Sequence, residues 1–225
     1  MPEFVFMLTH YDATVAGARQ VYDQVRGTGL RYVGFKDIGA PVDELASITR
    51  AAHDDGLEVM LEVVSTSEDD EIRSISAASS IGVDWVLGGT HPDRGREILA
   101  GTGTRYCPFP GIVVDHPSIL TGEIHEIAEH ARRLTETPGI DGLDLLAYRH
   151  VSADPVALVR AVVAAASGPV IVAGSIASLE QIRAIAAAGA WGFTIGGAIF
   201  EARLPGGPDI AGQIKAVLSA ASTTP

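Results

Sequence analysis

The chain has 225 residues and a formal net charge of −12, long enough for one large domain or two small ones. Hydrophobic residues make up 47% and charged residues 20%, a globular rather than a disordered balance. The acidic excess argues against a nucleic-acid or anionic-membrane partner, which needs a net basic face, but leaves room for a local basic pocket around a small phosphorylated ligand.

A single cysteine, Cys107, excludes an internal disulfide and a cysteine-rich zinc site. It fits a reducing, cytoplasmic setting. The opening MPEFVFMLTH has no basic stretch and only a short apolar run, so it reads as a first strand and not as a signal peptide. No apolar stretch approaches the length of a membrane span.

Short β-branched or apolar runs alternate with helical periodicity from end to end. The pairs begin with a strand at Phe4–Thr9 and a helix over Thr14–Arg26, then Arg31–Lys36 with Val42–Asp55. Leu57–Val64 pairs with Asp69–Ile81, and Asp84–Leu87 with Asp93–Ala100. Arg105–Phe109 is followed by a longer connection through Asp115 and His116 to a helix over Ile119–Thr135. Leu143–Ala147 pairs with Pro155–Ala166. Gly168–Glu201 supplies strand seven, helix seven and strand eight; Asp209–Ala220 closes as helix eight, and 222–225 reads as a frayed tail. Eight such pairs without a linker predict a single (β/α)8 TIM barrel domain over 1–225 with few insertions. The alternative, an open doubly wound sheet, needs fewer strands, and no Gly-x-Gly-x-x-Gly follows the first one.

The densest signal is GPVIVAGSIASLEQIRAIAAAGAWGFTIGGAIFE, Gly168 to Glu201. It is one βαβ crossover with glycines at both strand ends, which implies parallel strands. Glycines there let backbone N–H groups approach a ligand, and a following helix N-terminus adds partial positive charge. One such loop is explained by a tight βα turn alone; two adjacent loops, Gly174–Ser175 and Gly196–Gly197, point to phosphate. An internal echo strengthens this. EIRSISAASSIGVDWVLGG (71–89) superposes on QIRAIAAAGAWGFTIGG (181–197) with a two-residue gap. It predicts a second anion loop at Gly88, Gly89 and Thr90, half a barrel away.

In a barrel, chemistry sits at the C-terminal strand ends and the loops after them. The candidates there are His10, Asp12, Lys36, Asp37, Glu62, His91, Cys107, Asp144, Tyr148, Arg149 and His150. Lys36 is the sharpest, because the chain has fourteen arginines and only two lysines. Lysine can lose its proton when desolvated and arginine effectively cannot, which suits an acid/base, an electrophile or a Schiff-base amine. The structural alternatives are an ion pair with Asp37 or Glu62, or plain phosphate contact. Glu62, inside LEVMLEVV, must face the barrel mouth or find a partner. It is either a base beside a carbonyl or the partner of Lys36.

Asp144 either points into the barrel or caps its strand, and Asp12 either joins the site or caps helix one. Arg149 either clamps a carboxylate or phosphate or pairs with a helix-six acid. His10, His91 and His150 lack helical ligand spacing, so no metal or other cofactor is assigned, although convergence of these ligands in space leaves a divalent metal open. Cys107 reads as a packed small residue.

The segment VIVAGSIASLEQIRAIAAAGAWGFTIGGAIF resembles the strand-seven-to-eight phosphate motif of the ribulose-phosphate-binding barrel superfamily. That group includes phosphoribosyl isomerases, N-acetylmannosamine-6-phosphate 2-epimerase, pentulose-phosphate 3-epimerase and the orotidine-phosphate and ketogulonate-phosphate decarboxylases. The resemblance implies that Gly174, Ser175, Gly196 and Gly197 bind a substrate phosphate. It covers the last quarter of the chain, and it identifies a superfamily rather than a reaction. Phe-Lys-Asp on strand two is only superficially like the decarboxylases' Asp-x-Lys-x-x-Asp on strand three.

The expected activity is therefore an isomerase or epimerase of a small phosphorylated sugar, with Lys36 and Glu62 or Asp144 moving protons α to a carbonyl. Gly88, Gly89, Asp12, His91 and Arg149 are expected to assist binding. A lyase using Lys36, as aldolase or decarboxylase, and a non-catalytic regulator that binds a phosphometabolite are the alternatives. Oligomeric state is left open.

Overall fold

The computed structural model describes residues 1–65 and 67–222. Eight parallel strands form one sheet: β1 (Glu3–Met7), β2 (Tyr32–Lys36), β3 (Glu58–Val63), β4 (Trp85–Gly88), β5 (Arg105–Cys107), β6 (Leu143–Leu145), β7 (Val170–Val172) and β8 (Gly192–Ile195). Their spatial order is β6-β7-β8-β1-β2-β3-β4-β5. Between β5 and β6 the ladder is replaced by backbone bonds from Asp141 N to Tyr106 O (2.8 Å) and Asp144 N to Pro108 O (3.1 Å), which draw the sheet into a nearly closed barrel. The helices are α1 (Ala18–Val25), α2 (Val42–Asp54), α3 (Glu68–Ile81), α4 (Pro92–Leu99), α5 (Ile124–Thr135), α6 (Pro155–Ala165), α7 (Leu179–Ala187) and α8 (Ile210–Ser222). The architecture is the expected (β/α)8 barrel. Ser222 ends α8; the rest of the expected frayed tail lies outside the described residues.

Period-two alternation divides each strand between two cores. Phe4, Phe6, Val33, Phe35, Val59, Leu61, Leu143, Leu145 and Phe193 face the helices. Val5, Met7, Tyr32, Met60, Trp85, Leu87, Cys107 and Ile171 fill the barrel. Trp191 packs on Trp85 and Tyr32 at the N-terminal end, with Arg105 lying over the Trp85 ring. Residues of the same inward register nearer the C-terminal end are polar: Lys36, Glu62, Asp144 and Thr194 are all buried. The alternation thus seals one end of the barrel with apolar surface and lines the other with charge.

Several helix starts carry local signals. Ser67, Asp154 and Ser178 each accept a backbone N–H three residues on, and Glu123 with Glu126 makes a capping box ahead of α5. Two expected helices begin later than the sequence pattern suggests. Residues Ile112–Val114 and Ile119–Thr121 pair as an antiparallel hairpin, so α5 starts at Ile124. The triplets flanking Asp-His-Pro-Ser, Ile-Val-Val and Ile-Leu-Thr, are rich in β-branched residues and favour strand, and Gly122 at φ +111° ends it before the cap. Likewise Thr9–His10 and Ala13–Thr14 form a short hairpin, and α1 begins at Ala18. Thr14 is held by β2 instead of a helix: its Oγ1 donates to Lys36 O and accepts from Lys36 N, each at 2.8 Å.

Candidate active site

The hairpin after β1 turns through Tyr11 and Asp12, both at positive φ. Such a conformation is costly for residues other than glycine and is kept where surroundings enforce it. For Asp12 the surroundings are charges. Its buried carboxylate accepts from Lys36 Nζ, from Arg149 Nη1 at 2.9 Å and from the Ser118 amide at 3.2 Å. His116 Nδ1 lies 3.8 Å away. Burial by itself would raise the Asp12 carboxyl, but the Lys36 and Arg149 charges and these hydrogen bonds outweigh it and hold it below the usual carboxylate range. Asp12 is therefore not the cap of helix one.

Lys36 ends β2 with its ammonium between two carboxylates, Asp12 and Glu62, the latter at 3.3 Å. Asp37 takes no part; it accepts from the Val64 amide and the Ser65 hydroxyl. Glu62 stands beside Lys36 because β2 and β3 pair in that register. Arg149 comes from a turn of 3-10 helix, Ala147–Arg149, after β6, and pairs with Asp12 rather than with a helix-six acid.

Asp144 points into the barrel and is 0% exposed. Neither of its carboxylate oxygens has a hydrogen-bond partner among the described residues. Burial, with the negative charge of Glu62 added, pushes its carboxyl well above the usual range, against the pull of Lys36 and Arg149. Burial thus favours the neutral form of the Asp144 carboxyl. Burial, with Asp144 and Asp141 nearby, also pushes the Cys107 thiol up, consistent with a packed residue rather than a nucleophile.

The phosphate candidates lie in the loops after β7 and β8. Gly174 and Ser175 have φ of +77° and +58°, which turns the chain so that α7 starts at Leu179. Gly196 caps a four-residue helical turn, Gly197–Phe200. A Cβ on Gly196 would meet Thr9 O at 2.6 Å, so only glycine allows the β1 and β8 loops to touch. Among the described residues no hydrogen bond takes up the amides of Ser175, Ile176, Gly197 or Ala198.

One cavity of about 240 Å³ joins these parts. Asp12, Lys36, Glu62, Arg149, Gly174, Ser175, Gly196 and Gly197 all line it; Asp144 lies inside the barrel and does not. Gly88, Gly89 and His91 are not brought to this cavity. They stand at the opposite side of the mouth, where the loop after β4 is engaged by Glu71. Among the described residues no group of three or more His, Cys, Asp or Glu has the arrangement of a metal site. His10 contacts Glu201 at 3.2 Å and stacks on Tyr11, while His150 is bonded to Gly122 O and to the amides of Ser152 and Ala153. No helix is long and apolar enough to cross a membrane, among the described residues.

Sequence reasoning missed Arg203, which lines the cavity with Glu201, and Ser118, whose amide holds Asp12. An arginine just past strand eight was a readable signal. Ser118 depends on the hairpin after β5, which the helical reading of Ile119–Thr121 concealed.

No family model matches the chain, and no curated protein sequence matches it significantly. Solved structures do. N-acetylmannosamine-6-phosphate 2-epimerase from Clostridium perfringens is 12% identical, with a TM-score of 0.64 over 87% of this chain and 86% of that one. Thiamine phosphate pyrophosphorylase from Pyrococcus furiosus is 14% identical, with a TM-score of 0.63 over 99% and 96%. A structure described as native KDPGal is 15% identical, with a TM-score of 0.68 over 100% and 96%. At these identities the likeness is one of fold, and the fold shared is the (β/α)8 barrel.

Proposed function

We propose that the chain is an isomerase or epimerase of a small phosphorylated sugar, transferring a proton α to a carbonyl. The observation that carries this reading is the joining, in one cavity, of an open-amide cradle and the Lys36–Glu62 pair. The amides of Ser175 and Ile176, in the loop ahead of α7, and of Gly197 and Ala198, at the start of the short helical turn after β8, receive the phosphate. Anchored there, the sugar extends toward β2 and β3. Its carbonyl oxygen sits at Lys36 Nζ, whose positive charge stabilises the enediolate as it forms. Glu62 takes the α-proton; for isomerisation it returns it to the adjacent carbon, and for epimerisation a second proton donor on the opposite face of the enediolate supplies the incoming proton while Glu62 keeps the one it removed. Asp12 holds Lys36 and Arg149 in place, and Asp144, neutral beneath them, adds no further negative charge to a crowded group.

Two of the fold neighbours carry a phosphorylated compound in their names, which fits the cradle. The test is wash-in of solvent deuterium across a panel of pentose and hexose phosphates. Exchange that disappears in Glu62→Gln and Lys36→Met supports the reading; exchange that survives both changes refutes the residue assignment. The lyase alternative needs the Lys36 amine free to attack a carbonyl, whereas two carboxylates engage it. A borohydride-trapped adduct on Lys36 would reverse that preference.

A further inference from the structure

The sequence echo leads to two loops half a barrel apart, after β4 and after β8, with the same Gly-Gly ending and a helical start behind it. The β8 loop leaves its amides open. The β4 loop does not. Glu71, from the first turns of α3, is 1% exposed and lays its carboxylate across the start of α4. It accepts from Thr90 N at 3.0 Å, His91 N at 2.9 Å and Thr90 Oγ1 at 3.1 Å, and lies 3.0 Å from His91 Nδ1. Gly89 has φ +83°, and a Cβ on it would meet Glu71 Oε1 at 2.7 Å. The loop is thus shaped for close approach of an anion and already holds one, supplied by its own chain.

The adjoining space is charged the same way. A smaller cavity of about 100 Å³ lies beside the catalytic one, lined by Val63, Ser65, Thr90, Phe109, Asp115 and Ser118 among others. Its neighbours connect it to the chemistry: Val63 follows Glu62, and the Ser118 amide holds Asp12. Among the described residues no lysine or arginine lines it. Its one charged lining residue among the described residues is Asp115, and the hydroxyls of Ser65 and Thr90 are backed by the carboxylates of Asp37 and Glu71. A phosphate entering here would face like charge and find the loop amides taken. Hydroxyl groups would find hydroxyl partners and apolar walls.

We infer that the substrate carries a single phosphate and ends at the far side of the mouth in an uncharged, hydroxylated segment, with Glu71 as the residue that shuts out a second phosphate. The inference rests on the reading of Gly174–Ser175 and Gly196–Gly197 as the phosphate cradle. The test compares ribulose 5-phosphate with ribulose 1,5-bisphosphate by calorimetric titration of the wild type, Glu71→Gln and Glu71→Ala, each variant checked for folding by circular dichroism. The wild type should bind the monophosphate about tenfold or more tightly than the bisphosphate, the scale of one like-charge contact. Glu71→Gln keeps an acceptor and the shape but removes the charge, and should narrow that ratio. Glu71→Ala opens the cradle, and inorganic phosphate should then bind at two sites instead of one. Should Glu71→Ala fail to fold, the Glu71→Gln ratio decides. Bisphosphate binding as tight as monophosphate in the wild type, or a ratio unchanged on removing the charge, overturns the inference alone. Binding of neither sugar overturns the cradle reading with it.

Discussion

Asp144 is the side chain whose physics is most open to measurement. Unfolded, its carboxyl titrates near 3.9; folded, it is fully buried without a hydrogen-bond partner, and burial followed by the charge of Glu62 raises it well above that. Above about pH 4 the folded chain therefore binds a proton that the unfolded chain has released. Stability contributed by this group is complete below the unfolded value and is lost at about 1.4 kcal/mol per pH unit until the folded carboxyl itself ionises. Asp144→Asn keeps the shape and removes the titration. As pH rises above about 4 the variant should gain on the wild type in urea unfolding, with a slope of up to about 1.4 kcal/mol per pH unit. Histidine titrations are common to both proteins and cancel in the difference. Parallel stability curves for variant and wild type across this range would refute the claim that Asp144 is buried neutral.

The opposite sign is expected of Asp12, whose folded carboxyl is depressed. Its contribution should be present above about pH 4 and lost as pH falls through its folded value, so Asp12→Asn should flatten the acid limb of the unfolding curve. Lys36→Met leaves the Glu62 carboxylate without its ion-pair partner and removes one of the two cations that hydrogen-bond Asp12, which keeps Arg149 and the Ser118 amide; it should cost about 3 kcal/mol or more of stability and lower turnover about 100-fold or more, read by urea titration and deuterium exchange. Gly174→Ala combines a left-handed φ with a Cβ 2.7 Å from Arg149 Nε; it should weaken inorganic phosphate binding in calorimetry and lower the melting temperature. Cys107 is buried with its thiol raised, so a disulfide reagent should label it only at the rate of unfolding.

The strands and most helices were legible because their signals are local. Alternation placed Lys36, Glu62 and Asp144 on strands, and the Gly-Gly and Gly-Ser strand ends marked two loops of the site. What remained hidden depends on chain segments far apart in sequence. Spacing cannot reveal that Asp12 meets Arg149, 137 residues away, or that Ser118 closes on it across 106. The same limit applied to the echo at 71–89: it found the second Gly-Gly loop, but not that Glu71, within the same segment, fills it. The helical reading of Ile119–Thr121 failed for a local reason, since three β-branched or apolar residues fit either period and only the paired triplet at Ile112–Val114 decides between them.

The contacts of Asp12 also bear on how such a barrel can be altered. One carboxylate on the first loop ties together the end of β2, the hairpin after β5 and the turn after β6. The loops after β7 and β8 make no bond to it. The mouth is thus modular in an uneven way. A designer grafting the β7–β8 half onto another barrel would carry over no buried charge, but would have to keep the close backbone approach of Gly196 to Thr9 and of Gly174 to Arg149. The first loop, the end of β2, the hairpin after β5 and the turn after β6 would have to be transplanted as a single block, since exchanging any one of them would strand a buried charge in the others.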